Sequence, residues 1–167
     1  MVENHPFGPF IPDYCKTIVL GSFPGKESTQ TKRENDWFYG ANRNQFWKIL
    51  ECIYQRDLKD KTTKQKLFSE FRIGITDIIL SCERIDNKNS DSNLKNKVYN
   101  SLISEIIKTN PIERILFTGK GVYLEFIENF GKGEDIEYIV LPSPSPVYRR
   151  LSLQDKVTEY KKHFPIT

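Results

Sequence analysis

Histidine is almost missing from this chain of 167 residues: His5 and His163, both near the ends, are the only two. That scarcity weakens any mechanism built on a histidine base and argues against Ser-His-Asp and Cys-His hydrolases. The three cysteines, Cys15, Cys52 and Cys82, are far apart, odd in number and contain no Cys-x-x-Cys pair. Reduced thiols in or near the core are therefore expected, with no disulfide framework and no thiol–imidazole zinc cluster. Long apolar runs are also missing. The longest is Tyr138-Ile139-Val140-Leu141, far short of the ~20 residues of a membrane-spanning helix. The start, Met1-Val2-Glu3-Asn4-His5-Pro6, lacks the basic-then-apolar layout of a signal peptide, so a cytoplasmic location is expected.

The composition itself is ordinary. Hydrophobic residues make up 38% and charged residues 28%, which fits one globular domain and excludes a disordered or collagen-like chain. At this length a fold can bury roughly 70% of its unfolded surface without metal or disulfide staples. The net charge is +3, and its position is more telling than its size. Between residues 147 and 163, Arg149, Arg150, Lys156, Lys161 and Lys162 face only Asp155 and Glu159, so this segment carries the whole excess. Such a patch suits a polyanion, and a solvated helix face explains the charge equally well.

Residues 1 to 16 read as irregular, because Pro6, Pro9 and Pro12 forbid a regular helix. Thr17-Ile18-Val19-Leu20 reads as a buried strand, followed by a long polar loop over residues 21 to 43. A helix is expected from about Asn44, with Phe46, Leu50 and Ile53 at helical spacing, and another over about Lys64 to Phe71. Gly74 to Leu80 reads as a strand and residues 83 to 93 as a loop. Ser92 or Asn93 is expected to cap a helix in which Leu94, Val98, Leu102 and Ile106 recur every four residues. Arg114 to Thr118 and Glu137 to Leu141 read as strands, with a helix over about Gly121 to Phe130 between them. A final helix begins near Ser152, with a stripe of Leu153, Val157, Tyr160 and Phe164. Strands alternating with helices predict a three-layer α/β/α sandwich around a mainly parallel, four-stranded sheet, as a single domain over 1–167. Ligands of such sheets bind at the carboxyl ends of the strands.

Three loops at those ends carry unusual residues. Gly21-Ser22-Phe23-Pro24-Gly25-Lys26-Glu27-Ser28 offers glycines and free N–H groups for an anion, but has no Gly-Lys-Ser/Thr ending and is not a Walker loop. Phe38-Tyr39-Gly40-Ala41-Asn42-Arg43-Asn44-Gln45-Phe46-Trp47 combines aromatics that can stack on a base with amides that can bind a base edge or orient water. Core packing accounts for Phe46 and Trp47, and loop anchoring for Tyr39, just as simply. In Leu141-Pro142-Ser143-Pro144-Ser145-Pro146-Val147-Tyr148-Arg149-Arg150, alternating prolines hold two serines where hydroxyls and backbone N–H groups suit phosphate oxygens. Asp77, near a strand end, either assists water, binds a base edge or caps a loop.

Together, Gly-Ser-Phe-Pro-Gly, Tyr-Gly-x-x-x-Asn-x-Phe-Trp and Leu-Pro-Ser-x-Ser-Pro resemble the uracil-DNA glycosylase superfamily, most of all its hypoxanthine-DNA (deoxyinosine) glycosylase branch. Gly74 to Ile79 and Ser81-Cys82-Glu83-Arg84 are similar to that branch's second-strand region. The resemblance covers about residues 17 to 160. It implies a monofunctional enzyme that flips a deaminated base, hypoxanthine or uracil, out of DNA and hydrolyses its N-glycosidic bond. It needs no cofactor or metal and is by default a monomer. Many members place a water-activating Asp or Asn where Phe23 stands here. In the hypoxanthine-type branch the catalytic amide matches Asn44. Ser22, Phe23, Tyr39 and Asp77 fall at base-binding positions. Gly25, Ser28, Ser143 and Ser145 fall on the DNA backbone, and Tyr148, Arg149 and Arg150 where the family inserts a wedge. Ala41-Asn42 replaces the usual His-Pro, and Tyr148 a usual small residue or Asn. With Phe23, the Ala41-Asn42 departure also admits a catalytically impaired nucleic-acid-binding module on the same fold. A hydrolase of free nucleosides is a third reading, disfavoured by the basic segment.

Overall fold

The computed structural model describes residues 1–166. Its centre is a parallel sheet in the order β3-β2-β6-β7, formed by β2 (Thr17–Gly21), β3 (Ile73–Asp77), β6 (Arg114–Phe117) and β7 (Glu137–Val140). Period-two alternation sends the side chains of β2 and β6 to opposite faces. Val19 and Leu116 join one core, with Phe46, Trp47 and Leu50 of α2 (Phe46–Tyr54), Leu67 and Phe68 of α3 (Lys61–Glu70), and Val157 and Tyr160 of α6 (Leu153–Lys161). Ile18, Leu20, Ile115 and Phe117 join the other, with Ile103 of α4 (Leu102–Thr109) and Val122 and Phe126 of α5 (Lys120–Phe130). Helices on both faces of a parallel sheet make the expected three-layer sandwich. Phe46, Phe68 and Phe117 are completely buried, and each contributes about 1.5–3 kcal/mol of transfer free energy. No described helix is long and apolar enough to cross a membrane.

Helix ends follow local chemistry. Asp60 accepts from the Thr63 N–H at 2.7 Å to start α3, and Ser152 and Asp155 form a reciprocal capping box at the start of α6. The start of α2 is fixed differently, by the Asn44 amide oxygen accepting from the Phe46 N–H at 2.9 Å. Its far end stops at Gln55, which is left-handed with φ 52°.

Several elements differ from those expected. A second, antiparallel sheet, β1-β4-β5, lies beside the first, built from β1 (Val2–Asn4), β4 (Ile79–Arg84) and β5 (Leu94–Tyr99). The segment 1–16 is therefore not wholly irregular. Ahead of its prolines, Val2–Asn4 pairs with the edge of β4, and Phe10 bridges Ile75 farther on. The strand expected over Gly74 to Leu80 is two strands, one in each sheet. The helix expected over Leu94 to Ile106 is a strand followed by a helix. A spacing of four fits a helix turn but is also twice the strand period, so Leu94 and Val98 suit β5 equally well. Asn100 then ends the strand, its side chain buried, donating to Thr76 Oγ1 and accepting from the Leu102 N–H that opens α4. One short helix, α1 (Lys26–Thr29), interrupts the loop after β2. Cys15 and Cys82 are buried as expected, but Cys52 lies on the exposed side of α2, away from the core.

Candidate active site

Every parallel strand directs its carboxyl end to one edge, and there the chain opens a cleft of about 580 Å³. Its walls include Ser22 after β2, Thr118 and Gly119 after β6, Pro142 and Ser143 after β7, and Tyr148 beyond them. The first and third unusual loops thus share one cavity. The second is tied to the third through the backbone: the Gln45 N–H donates to the Pro144 carbonyl at 2.9 Å, which places Asn44 next to the serine–proline loop.

The floor beside the cleft is a packed polar cluster. Gly21 ends β2 with its α-carbon against the Tyr39 hydroxyl and the Asp77 carboxylate, both of which a β-carbon would strike. Gly21→Ala is therefore expected to displace both side chains, lowering stability by about 1–3 kcal/mol as overpacked sites do. A thermal melt reads this directly, and a variant melting with the wild type would show that the cluster yields freely. Tyr39 is held at both ends. Its ring stacks on Phe46 at 4.3 Å between centroids, and its hydroxyl shares a 2.9 Å hydrogen bond with Thr118. Burial, then the charge of Asp77, keeps that phenol far above its ordinary titration range, so it serves as a neutral hydroxyl. Its backbone is left-handed, at φ 56°.

Asp77 is buried, and its partner is a residue that no local motif places there. The His5 Nε2 lies 2.7 Å from Asp77 Oδ2, with both side chains nearly enclosed. The Phe7 N–H donates to His5 Nδ1 at 3.0 Å, so the ring proton sits on Nε2 and is donated to Asp77. Phe23 is also buried. Its ring meets His5 edge-on at 5.7 Å and lies under the Arg84 guanidinium at 5.9 Å. Ser22 is buried too, and among the described residues its hydroxyl has no hydrogen-bond partner.

The serine–proline loop organises itself. Ser143 Oγ accepts from the Ser145 N–H at 3.2 Å and Ser145 Oγ from the Val147 N–H at 3.3 Å, leaving each hydroxyl proton to donate elsewhere. Beneath the loop lies Lys156, only 1% exposed. Its ammonium donates to Gln45 Oε1 at 2.7 Å and to the Ser145 carbonyl at 3.1 Å, and sits over the Tyr148 ring at 5.4 Å. Burial lowers its affinity for the proton. Arg149 and Arg150 are exposed just outside the cleft.

Not every candidate converges on the cleft. Gly25 and Ser28 belong to the α1 turn, where the Ser28 N–H donates to the Gly25 carbonyl. That turn is fastened to another flank: the Lys26 N–H donates to Asn89 Oδ1 at 2.9 Å and Lys26 Nζ to the Asn87 carbonyl at 3.1 Å. Conversely, Asp91, in the 3-10 turn Asp91–Asn93 that enters β5, lines the cleft although sequence reasoning passed over it. His5 and Lys156 were missed as well, whereas Thr118 lies at one of the strand ends where a ligand is expected. His5 and Lys156 meet partners 72 and 111 residues away in sequence, so no local pattern signals them.

The chain matches the Uracil DNA glycosylase superfamily over residues 9–164. It is 27% identical over 169 residues to the hypoxanthine DNA glycosylase of Methanosarcina barkeri (strain Fusaro), covering 98% of this chain and 99% of that protein. It is 25% identical to the hypoxanthine DNA glycosylase of Methanosarcina acetivorans, covering 95% and 96% of the two chains. A solution NMR structure from Methanosarcina acetivorans, provisionally described as a uracil DNA glycosylase, superposes with a TM-score of 0.67 at 26% identity, covering 98% of this chain and 97% of that one.

Proposed function

We propose, given that this chain belongs to the uracil DNA glycosylase superfamily and is a DNA glycosylase, that it flips a deaminated base, hypoxanthine or uracil, out of DNA and hydrolyses its N-glycosidic bond in base excision repair. The observation that carries this reading is the convergence of three separated loops at one strand edge: Ser22 and Ser143 on one cleft, with Asn44 tied to it through the Gln45–Pro144 bond.

The chemistry suits these groups. A base inside a duplex is out of reach, and extruding it costs a few kcal/mol, least for a mispaired, deaminated base. Breaking the N-glycosidic bond builds positive charge on the sugar and negative charge on the departing base. Ser143 and Ser145, with their protons free, would hold DNA phosphates close to that cation. Buried hydroxyl donors would face the base, where low dielectric magnifies their effect. An amide is a poor base, so Asn44 would act by orienting the attacking water rather than by removing its proton. The enzyme is a monomer acting on DNA in the cytoplasm in this reading, and it uses no lysine nucleophile, so it leaves an intact abasic site.

The deciding experiment is strand scission after alkali treatment. Labelled oligonucleotides would carry uracil, hypoxanthine or xanthine, single-stranded and opposite each normal base. Alkali-dependent scission at one lesion is the expected result. DNA binding without scission of any substrate would overturn the assignment and favour a binding module. The exposed Arg149 and Arg150 should contribute phosphate contacts. Replacing both by alanine should weaken duplex binding and flatten the plot of log K against log salt by up to about 2, near one unit per contact. An unchanged slope would remove them from the interface.

A further inference from the structure

The Ser22 hydroxyl is the unexplained group of this cleft. It is 9% exposed, its residue lines the cavity, and among the described residues nothing accepts or donates to it. Buried hydroxyls are rarely left so, because the missing bond leaves the desolvation of the group uncompensated. The neighbouring groups are already committed. The Ser22 carbonyl accepts from the Ile79 N–H at 3.2 Å, and the Thr118 hydroxyl is shared with Tyr39 and the Leu20 carbonyl. Across from Ser22 stands Asp91. The serine hydroxyl favours its ionised form, yet the two do not meet in hydrogen-bonding geometry. Both residues line the cavity, Asp91 with an exposed face, and no hydrogen bond joins them.

We propose that Ser22 and Asp91 read the base itself: the Asp91 carboxylate accepts the ring N–H of a lactam, and the Ser22 hydroxyl donates to the carbonyl beside it. This rests on the reading of the cleft as the pocket for a flipped base, and it says which face of the base the protein tests. Hypoxanthine and uracil both carry an N–H next to a C=O. Adenine and cytosine present the reverse, a ring nitrogen lone pair beside an amino group. Set against Asp91 and Ser22, that reversed edge puts lone pair against carboxylate, so deamination converts a repelled base into a matched one. Although Asp91 keeps an exposed face, crowding of its carboxyl by surrounding chain, then the nearby Asp77 and Glu125 carboxylates, push it up to about 6, against Lys97 and the Ser22 hydroxyl. At neutral pH the group is thus mainly ionised and able to accept.

The test uses the full chain and probes that bind without being cleaved. Single-stranded oligonucleotides carrying 2′-fluoro-2′-deoxyinosine or 2′-fluoro-2′-deoxyadenosine would be titrated by fluorescence anisotropy. The wild type is expected to prefer the inosine probe by ~100-fold, the scale set by one buried hydrogen-bonding group left unsatisfied. Asp91→Asn, whose amide can turn either its oxygen or its nitrogen to the base, should bring the preference below ~10-fold. Ser22→Ala should weaken the inosine probe alone. A wild type without preference, or an Asp91→Asn variant that keeps it, would overturn the proposal. Scission of an ordinary inosine oligonucleotide, run alongside, separates the two readings. Preference without scission removes the glycosylase reaction and keeps the reader. Scission with unaltered preference in Asp91→Asn removes the reader and keeps the reaction.

Discussion

Asn44→Ala should reduce base release by about 10²–10³-fold, the usual loss when one positioned polar group is removed from a reacting centre. Structure complicates the simplest version of this experiment. The Asn44 amide oxygen accepts from the Phe46 N–H at 2.9 Å and so fixes the start of α2, a helix that buries Phe46, Trp47, Ile49, Leu50 and Ile53. Alanine removes that bond at a cost of about 1 kcal/mol, so some activity could be lost through a loosened helix. Asn44→Ser divides the two effects. Serine keeps a side-chain oxygen for the Phe46 N–H but has no amide to hold water. Both variants should fail in single-turnover base release, while serine melts closer to the wild type. Wild-type rates in Asn44→Ser would confine Asn44 to helix capping and send the search for the water-orienting group elsewhere in the cleft.

The second large effect is expected at Lys156. Among the described residues it is the one buried cation that touches both the approach to α2, through Gln45, and the serine–proline loop, through the Ser145 carbonyl. Lys156→Met matches its length and apolar stem but leaves both oxygens without their donor. The net stability cost is about 1–3 kcal/mol, since the removed charge no longer needs to be desolvated. In a chain of this size each kcal/mol lowers Tm by roughly 2–4 °C, so the variant remains folded at room temperature. Base release should fall far more, by about 10²-fold, because loop displacements near 1 Å carry penalties of that order. The two consequences are separable: calorimetry gives the first, and the single-turnover rate at saturating enzyme gives the second. A lowered Tm with an unaltered rate would make Lys156 a packing residue only.

Much of the architecture is legible in the sequence. The four parallel strands are short and bounded by breakers, and their order along the chain implied helices on both faces. The edge on which the unusual loops gather followed from the same reading. What escaped were features without local period or local partner. The antiparallel sheet was hidden because Leu94 and Val98 satisfy two periodicities at once. Asp91 was hidden in a polar stretch where nothing marks one carboxylate as facing a cavity. Lys156 looked like one more cation in a basic helix, and only packing distinguishes it from Lys161 and Lys162, which are exposed. The site residues that were legible came from motifs, whose residues are adjacent in sequence. Those that were not came from contacts closed across most of the chain.

The pairing of β1 with β4 has a temporal side. Glu3 sits opposite Cys82, and His5 meets Asp77, 72 residues on, so both find their partners only after a long further stretch of chain has been made. At synthesis rates of about 5–20 residues per second the amino-terminal strand waits for several seconds. Until it docks, the Asp77 carboxylate lacks its imidazole partner, and the edge of β4 lies open to other chains. A pairing this distant must meet its loop-closure entropy before any contact rewards it, which slows its closure. The packed cluster beside Gly21 is thus finished by a segment made long before its partners, and the interval before that closure leaves the β4 edge open to misassembly.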